Sequence, residues 1–305
     1  MKGLVVVLLG LALVSAIGAS PARRPVVPAM FVLGDSTLDV GNNNHLPGKD
    51  VPRANEPFYG IDFPGGARAT GRFSNGYNIA DFVAMHLGFE RSPLAYLVLK
   101  SRNYLIPSAL TRGVSYASAG SGILDSTNAG KNIPLSKQVQ YFASTKAEME
   151  VVWGRRKVSK HITNSFFLLG TGSNDLFQTK PKSQADVAAL YATLVSNYSA
   201  ASTDLYRMGA RKFGIINTGP VGQLRQPQAS VFKNADSACC GSGRLGAEGK
   251  CMRNATLCSD RDAYAFFDNV HPSQRAAELS AQALFVDGPT KITAPISFKE
   301  LAEKR

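Results

Sequence analysis

Short apolar runs alternate along the chain with longer segments in which apolar residues recur at helical spacing. Residues 29–33 ("AMFVL") and 166–169 ("FFLL") are apolar throughout and stop at a glycine, which is typical of strands buried on both faces. "KFGIIN", residues 212–217, and the β-prone "GVSYASAGSG", residues 113–122, predict two further strands. Because helical segments lie between these runs, the pattern predicts an α/β fold with a mainly parallel sheet covered on both faces.

Three segments carry the helical pattern most clearly. "NIADFVAMHLGF" places Ile79, Phe82, Val83 and Leu87 on one face. In "SQADVAALYATLVSNY" the stripe is Val187, Leu190, Leu194 and Tyr198, with Ser183 as its expected cap and Gly209 as its expected end. The last helix is expected after "HPSQ" and carries Ala277, Leu284 and Phe285.

Polar residues follow three of the predicted strands at the point where each strand ends. The strings are "GDS", "ASAG" and "GSND". In parallel α/β sheets, ligands bind in the crevice outside the carboxyl ends of the strands. We therefore expect these three strings to meet on one rim of the sheet.

The first twenty residues differ from the rest. Residues 1–20 contain one basic residue, an apolar run and then the small residues "AIGAS", which is the pattern of a secretory signal peptide. No later segment is long and apolar enough to cross a bilayer. Residues 21–305 are therefore predicted to form a single exported domain.

Charge narrows the choice of partners. The formal net charge is +12, yet the basic residues are scattered apart from short clusters such as residues 155–157. The sequence predicts no basic helix or aromatic–basic array, and an export signal argues against a nucleic-acid partner. Loose attraction to an acidic extracellular matrix is the partner class that the charge favours, and plain solubility is the simpler explanation.

All four cysteines lie in one glycine-rich stretch: Cys239, Cys240, Cys251 and Cys258. In an exported protein they predict two disulfides, each joining one of the first pair to one of the second, with the connectivity open. A zinc site is the alternative, although the spacing lacks paired C-x2-C knuckles. Asn197 and Asn254 begin N-x-S/T sequons and are candidate glycosylation sites.

Ser36 follows the first strand directly, and a serine there is a nucleophile only if a base accompanies it. Of the four histidines, His45 lies in an Asn-rich loop, His86 in an amphipathic helix, and His161 is expected at the surface. His271 lies in "FFDNVHPSQ", where Pro272 favours an extended conformation and Asp268 is three residues away. Ser36, His271 and Asp268 can thus act as nucleophile, base and orienting acid.

Acyl transfer also needs hydrogen-bond donors for a developing oxyanion. The candidate donors are the backbone N–H groups of Ser36 and Gly120 and the side-chain amide of Asn174. Considered singly, Gly120 would be taken for a turn residue and Asn174 for a helix cap.

Several blocks in fixed order resemble the plant GDSL esterase/lipases of the SGNH hydrolase superfamily. They are "GDSTLDVGNNN", "TGRFSNG", "GVSYASAGSGILD", "GSNDLF" and "DNVHPS", together with "GARKFGIINTGPVG" and the "CCGSGRLGAEGKC" loop. The resemblance implies a flavodoxin-like, three-layer α/β/α sandwich. It also implies that Ser36 is the nucleophile, Gly120 and Asn174 complete the oxyanion hole, Asp268 and His271 complete the triad, and no cofactor or metal is needed.

One departure from the family stands out. After "GPVG" the family usually has a cysteine, a long helix and another strand, whereas here Gln223 takes the cysteine position and only a short segment separates Gly222 from Cys239. About one helix and one edge strand are therefore expected to be missing after residue 222, either in a natural short form or through a dropped exon. Loss at a sheet edge need not disturb the central rim, although it exposes a new edge.

Three hypotheses about function follow. The first is a secreted serine hydrolase, apoplastic or bound to the cell wall, that cleaves small-molecule, lipid or cell-wall carboxylic esters through an acyl-enzyme. The second is an inactive exported remnant or binding protein, since a β/α unit is missing. The third is an extracellular acyltransferase that uses the same triad.

Overall fold

A four-stranded parallel sheet forms the centre of the molecule. The computed structural model describes residues 24–66, 69–218, 231–286 and 292–304. The strands are β1 (Met30–Gly34), β2 (Gly113–Ser115), β3 (Phe166–Gly170) and β4 (Lys212–Ile215), in the order β2-β1-β3-β4. β1 is central and pairs in parallel with both β2 and β3. Every residue of β1 and β3 is buried, which explains why these strands are apolar without alternation.

Helices pack on both faces of this sheet. They are α1 (Ile79–His86), α2 (Tyr96–Ser101), α3 (Leu105–Thr111), α4 (Leu135–Trp153), α5 (Arg155–Asn164), α6 (Ser173–Gln178), α7 (Gln184–Arg207), α8 (Gln274–Phe285) and α9 (Phe298–Glu303). Short 3-10 turns occur at Asn43–His45, Arg244–Gly246 and Arg261–Ala263. The α7 helix begins at the predicted Ser183 cap, whose side chain accepts from the Asp186 N–H. α9 was not predicted.

Alternate residues of β1 serve two separate cores. Phe31 and Leu33 pack into a cluster with side chains of α2, α3, α4 and α5. Met30 and Val32 pack into a second cluster with side chains of α1, α8 and α9. Because neighbouring strand residues point to opposite faces, this division is direct evidence of three layers. The predicted α/β fold with a parallel central sheet is confirmed.

β4 forms one edge of the described sheet. It pairs with β3 alone, and Ile215 at its end is 44% exposed. Among the described residues no further strand lies beside it. The helix and edge strand expected to be missing after residue 222 concern residues 219–230, which lie outside the described residues. Residues 1–20, the predicted signal peptide, also lie outside them.

The chain from residue 234 to residue 266 forms two small sheets of its own. β5 (Asn234–Ala238) pairs in parallel with β8 (Tyr264–Phe266), and β6 (Cys240–Gly241) pairs antiparallel with β7 (Thr256–Leu257). Two disulfides, Cys239–Cys258 and Cys240–Cys251, cross-link this segment. The prediction of two disulfides is correct, and because all four sulfurs are used, the zinc alternative was wrong.

The surface position predicted for His161 was wrong. The side chain lies on the inner face of α5 with Val158 and Ile162 and is only 7% exposed. Its Nε2 lies 3.0 Å from the Ala109 carbonyl oxygen, and burial lowers the pKa of the ring. The basic residues around it in the sequence face outward, because a helix separates neighbouring residues by about 100°.

Two other features bear on the predictions. Asn197 and Asn254 are both exposed, as a glycan acceptor must be. Within the described ranges, no helix combines the length and the apolar character needed to cross a bilayer.

Candidate active site

Ser36 lies at the carboxyl edge of the sheet, immediately beyond β1. The strand pairing continues as far as Asp35, whose N–H donates to the Gly170 carbonyl at 3.0 Å. The chain then turns, and the N–H groups of Leu38 and Asp39 both donate to the Asp35 carbonyl. Gly34 allows the close approach of β3, because a Cβ there would lie 2.4 Å from the Gly170 oxygen. The half-buried Ser36 is therefore fixed where the strand ends, as the sequence predicted.

Asp268 and His271 lie on one tight turn between β8 and α8. Asp268 Oδ1 accepts from the backbone N–H groups of Val270 at 2.9 Å and His271 at 2.7 Å. The Phe267 N–H donates to the His271 carbonyl, which closes the turn. Both Asp268 and His271 are buried, at 2% and 8% exposure.

The turn brings His271 against Ser36, which is 235 residues away in the sequence. His271 Nδ1 lies 2.8 Å from Asp268 Oδ1 and 2.7 Å from Asp268 Oδ2. On the other side of the ring, Nε2 lies 2.7 Å from Ser36 Oγ. A carboxylate that accepts from Nδ1–H fixes the tautomer in which Nε2 accepts the serine hydroxyl proton. This is the geometry of a serine nucleophile with its base and orienting acid.

The charge on Asp268 is stabilised by its neighbours. Burial acts to raise the pKa of Asp268, but the nearby His271, together with hydrogen bonds from His271, Tyr59 and the Val270 N–H, outweighs burial and lowers that pKa. The carboxylate therefore stays ionised, which is the form that can accept from Nδ1–H.

Two aromatic residues that the sequence did not single out contact this pair. The Tyr59 hydroxyl donates to Asp268 Oδ2 at 2.6 Å, and Tyr59 is 7% exposed. The Phe73 ring packs on the His271 ring with centroids 4.9 Å apart. Phe73 lies in the quoted block "TGRFSNG", but no pattern in one sequence connects Tyr59 to a carboxylate 209 residues away.

The three candidate oxyanion donors come from three segments that meet around Ser121. The Ser121 hydroxyl donates to the Gly34 carbonyl at 2.8 Å, which ties the Gly120 loop to β1. Asn174, in the first turn of α6, donates through Nδ2 to the Ser121 carbonyl at 2.9 Å. An amide nitrogen carries two hydrogens, so one N–H of Asn174 remains to donate.

Both backbone donors have free N–H groups. Neither the Ser36 nor the Gly120 N–H donates to any group in the part of the chain that the structure describes. Gly120 adopts φ +83°, a conformation that favours glycine. Its carbonyl accepts from Asn128 Nδ2 at 2.8 Å and Asn132 Nδ2 at 3.1 Å, so the peptide is held from its acceptor side.

A buried carboxylate, Asp39, holds the loop that leads to Gly120. Its oxygens accept from the N–H groups of Gly41 and Asn42, both at 2.8 Å, and from those of Ala119 at 3.1 Å and Asn43 at 3.4 Å. Burial raises the pKa of Asp39 to about 6, although these hydrogen bonds act to lower it. Asp39 thus connects the turn after Ser36 to the residue before Gly120.

A cleft of about 740 Å³ adjoins His271. Tyr59, Phe73 and Val270 line the cleft together with His271, and Val51, Pro52 and Met252 add apolar surface. Its charged lining residues are Lys49, Asp50, Arg53, Glu56, Lys131, Lys250 and Asp268. Among the described residues, no group of three or more His, Cys, Asp or Glu side chains is arranged to hold a metal ion.

Relatives of known classification resemble the chain over most of its length. One GDSL esterase/lipase of Arabidopsis thaliana is 35% identical over 316 aligned positions, covering 92% of this chain and 94% of the relative. A second is 32% identical and covers 88% and 92%, and a third is 30% identical and covers 98% and 96%. The alignment with the third spans 366 positions, more than the 305 residues of the chain, so part of that relative has no counterpart here.

A family model gives the same assignment from the pattern of the whole family. The model described as GDSL-like Lipase/Acylhydrolase matches residues 30–234, which is more than half of the chain and includes Ser36, Gly120 and Asn174. Asp268 and His271 lie beyond that match. The chain therefore belongs to the GDSL-like lipase/acylhydrolase family, whose members are hydrolases of the esterase/lipase type.

Proposed function

We propose that the protein is a serine hydrolase that cleaves carboxylic esters through an acyl-enzyme at Ser36. The single observation that carries the proposal is the continuous contact from Asp268 through His271 to Ser36, with 2.7 Å between Nε2 and Oγ. Membership of the esterase/lipase family supports hydrolysis as the reaction class. The catalytic roles of the individual residues and the carboxylic-ester class of the substrate are what we propose beyond the family assignment.

In the first step Ser36 Oγ attacks the ester carbonyl carbon as its proton passes to His271 Nε2. The protonated imidazole is stabilised by the ionised Asp268, which accepts from Nδ1–H throughout. His271 then gives the proton to the departing alcohol oxygen, and the acyl group remains on Ser36. Water attacks this acyl-enzyme with His271 again acting as base, so the acid is released and Ser36 regains its proton.

The carbonyl oxygen gains negative charge in both tetrahedral intermediates. The free N–H groups of Ser36 and Gly120 and the second N–H of Asn174 are the donors proposed for this charge. Losing one such donor typically costs about 2.7–4 kcal/mol of transition-state stabilisation. These donors are fixed before reaction, because Asp39 and Ser121 hold their loops.

We also propose that the protein is exported. Two disulfides in a chain that begins with a predicted signal peptide fit an oxidising compartment. The apolar walls of the cleft beside His271 fit an acyl chain or an aromatic leaving group.

A fluorescent fluorophosphonate tests the chemistry directly, because it bonds covalently to an activated serine. We expect the disulfide-bonded protein to be labelled and Ser36→Ala and His271→Ala to be unlabelled, with ester hydrolysis reduced at least about 10⁴-fold in both. Ser144→Ala is the matched control, since its hydroxyl is exposed and donates only to Gln140. Labelling of the Ser36→Ala variant would contradict the proposal. Absence of labelling in a wild-type protein that is shown to be folded would also contradict it, and would favour an inactive form.

A further inference from the structure

The junction of α4 and α5 lies at the amino edge of the sheet, opposite the carboxyl edge where Ser36 lies. The buried stripe of α4 ends at Met149, which is fully buried, and the helix continues for one more turn. In that turn Val151 is 87%, Val152 62% and Trp153 39% exposed. Gly154 then reverses the chain at φ +77° and α5 begins at once. We call residues 151–160 the elbow.

Exposed cations follow these apolar residues directly. Arg155, Arg156, Lys157 and Lys160 are all exposed. The acidic residues nearby are few: Glu150 lies 4.0 Å from Arg155 but already contacts Lys146 at 2.5 Å, and Glu148 is exposed on the preceding turn. Cations in the first turn of a helix oppose its dipole, so the stability of α5 does not account for them.

A shallow cavity of about 560 Å³ lies beside the elbow. It is lined by Pro28, Trp153, Lys157, Lys160, His161 and Asn164. Pro28 precedes β1, which places the cavity at the amino edge of the sheet. Lysines in such a position present their hydrocarbon stems to an apolar neighbour while the ammonium groups stay in water.

We propose that the elbow is a peripheral docking surface for an anionic lipid bilayer. Val151, Val152 and Trp153 enter the headgroup region, where apolar and indole side chains are stabilised. The four cations lie against the lipid phosphates and carboxylates. A hydrophilic polyanion would satisfy the cations but leave the two valines in water, which is why the apolar residues favour a bilayer. In this orientation the Ser36 rim faces away from the membrane.

The chain has one tryptophan, so Trp153 fluorescence reports on the elbow alone. We expect the emission to shift to the blue with vesicles of phosphatidylcholine and phosphatidylserine but not with phosphatidylcholine alone. Val151→Ser with Val152→Ser should abolish the shift, and Arg155→Gln with Arg156→Gln should weaken vesicle binding roughly 25-fold. Val195→Ser is the control, since Val195 is a 64% exposed valine on a different helix, α7.

Three results would overturn the proposal. The first is no blue shift with anionic vesicles. The second is an equal shift with polygalacturonate, which would make the occupant an acidic polysaccharide. The third is sedimentation of the free protein as a dimer that the Val151→Ser, Val152→Ser variant converts to a monomer. None of these measurements depends on esterase activity, so the proposal fails or stands independently of the proposed function.

Discussion

The candidate site is assembled from two regions that are stabilised in different ways. Ser36 and the Gly120 loop belong to the central sheet, where fully buried strands and apolar cores on both faces fix the backbone. Asp268 and His271 belong to the C-terminal segment, which has two-stranded sheets and two disulfides in place of a large core. Ser36 thus follows a strand held by the packing of the sheet, whereas the segment that leads to Asp268 and His271 is also cross-linked by two disulfides, so the two regions should respond differently to the same perturbation.

The segment of residues 52–66 and 69–78 contacts both regions. Tyr59 donates to Asp268, and the Arg261 guanidinium contacts the Asp62 carboxylate at 2.5 and 2.7 Å. The Gln274 side chain accepts from the Tyr77 N–H at 2.8 Å. Because all three contacts join this segment to residues of the C-terminal segment that carries His271, it positions His271 relative to the sheet.

The largest difference in response between the two regions is expected when the disulfide nearest Asp268 is removed. Cys240→Ser with Cys251→Ser should destabilise the C-terminal segment by about 3 kcal/mol, since a cross-link of this loop length constrains the unfolded chain by about that much. The Cys240 N–H donates to the Phe267 carbonyl at 2.7 Å, directly before Asp268. Fluorophosphonate labelling should therefore slow at least about tenfold while far-UV circular dichroism stays close to wild type.

Hydrogen exchange distinguishes this outcome from general unfolding. The amides of Phe266 and Phe267 should exchange faster in the double variant, whereas those of Phe31 and Leu33 should keep their protection. Equal loss of protection in both regions would show that the cross-linked segment and the sheet unfold as one unit. That result would contradict the expectation that the two regions respond differently.

A smaller effect is expected from the contact between the two regions at Tyr59. Tyr59→Phe removes the hydroxyl that donates to Asp268 while keeping the ring between Phe73 and Phe267. A charge-assisted hydrogen bond is typically worth about 1.5–3 kcal/mol, so we expect kcat to fall about tenfold or more with KM little changed. The acid limb of the kcat profile should move to higher pH, because Asp268 loses a group that lowers its pKa.

Tyr77→Phe provides the matched control for Tyr59→Phe. Tyr77 packs against Phe63 and Phe82 and makes no side-chain contact with Asp268 or His271. If Tyr59→Phe and Tyr77→Phe gave the same kcat and the same pH profile, Tyr59 would have no positioning role.

The same division explains which parts of the molecule the sequence could predict. Ser36, Gly120 and Asn174 follow strands whose apolar runs are local signals, so their common rim could be inferred from strand ends. Asp268 and His271 were found because both lie in one short string with a proline. Tyr59 was missed because its contact depends on tertiary packing, and His161 was misplaced because its basic sequence neighbours obscured the buried face of α5.

The smallest effect is expected at Asp35, next to Ser36, and it depends on pH. Burial raises the pKa of Asp35, whose Oδ1 accepts from both the N–H and the hydroxyl of Thr37. The folded state therefore holds this proton more tightly than the unfolded chain does. The contribution of Asp35 to the free energy of unfolding should therefore fall as pH rises from about 4 through the raised pKa, and it should stay constant above that pKa.

Asp35→Asn tests this dependence, because its amide oxygen can keep both Thr37 contacts without a buried charge. We expect the variant to melt a few degrees above wild type at pH 7, since about 1 kcal/mol shifts Tm by roughly 2–4 °C in a domain of this size. The difference should disappear near pH 4. Asp39→Asn is the control with the opposite expected effect, a lower melting temperature. Both Asp39 oxygens accept from backbone N–H groups, so the amide nitrogen of an asparagine there would face a donor. Destabilisation by both substitutions at pH 7 would mean that Asp35 is held as a carboxylate, like Asp39.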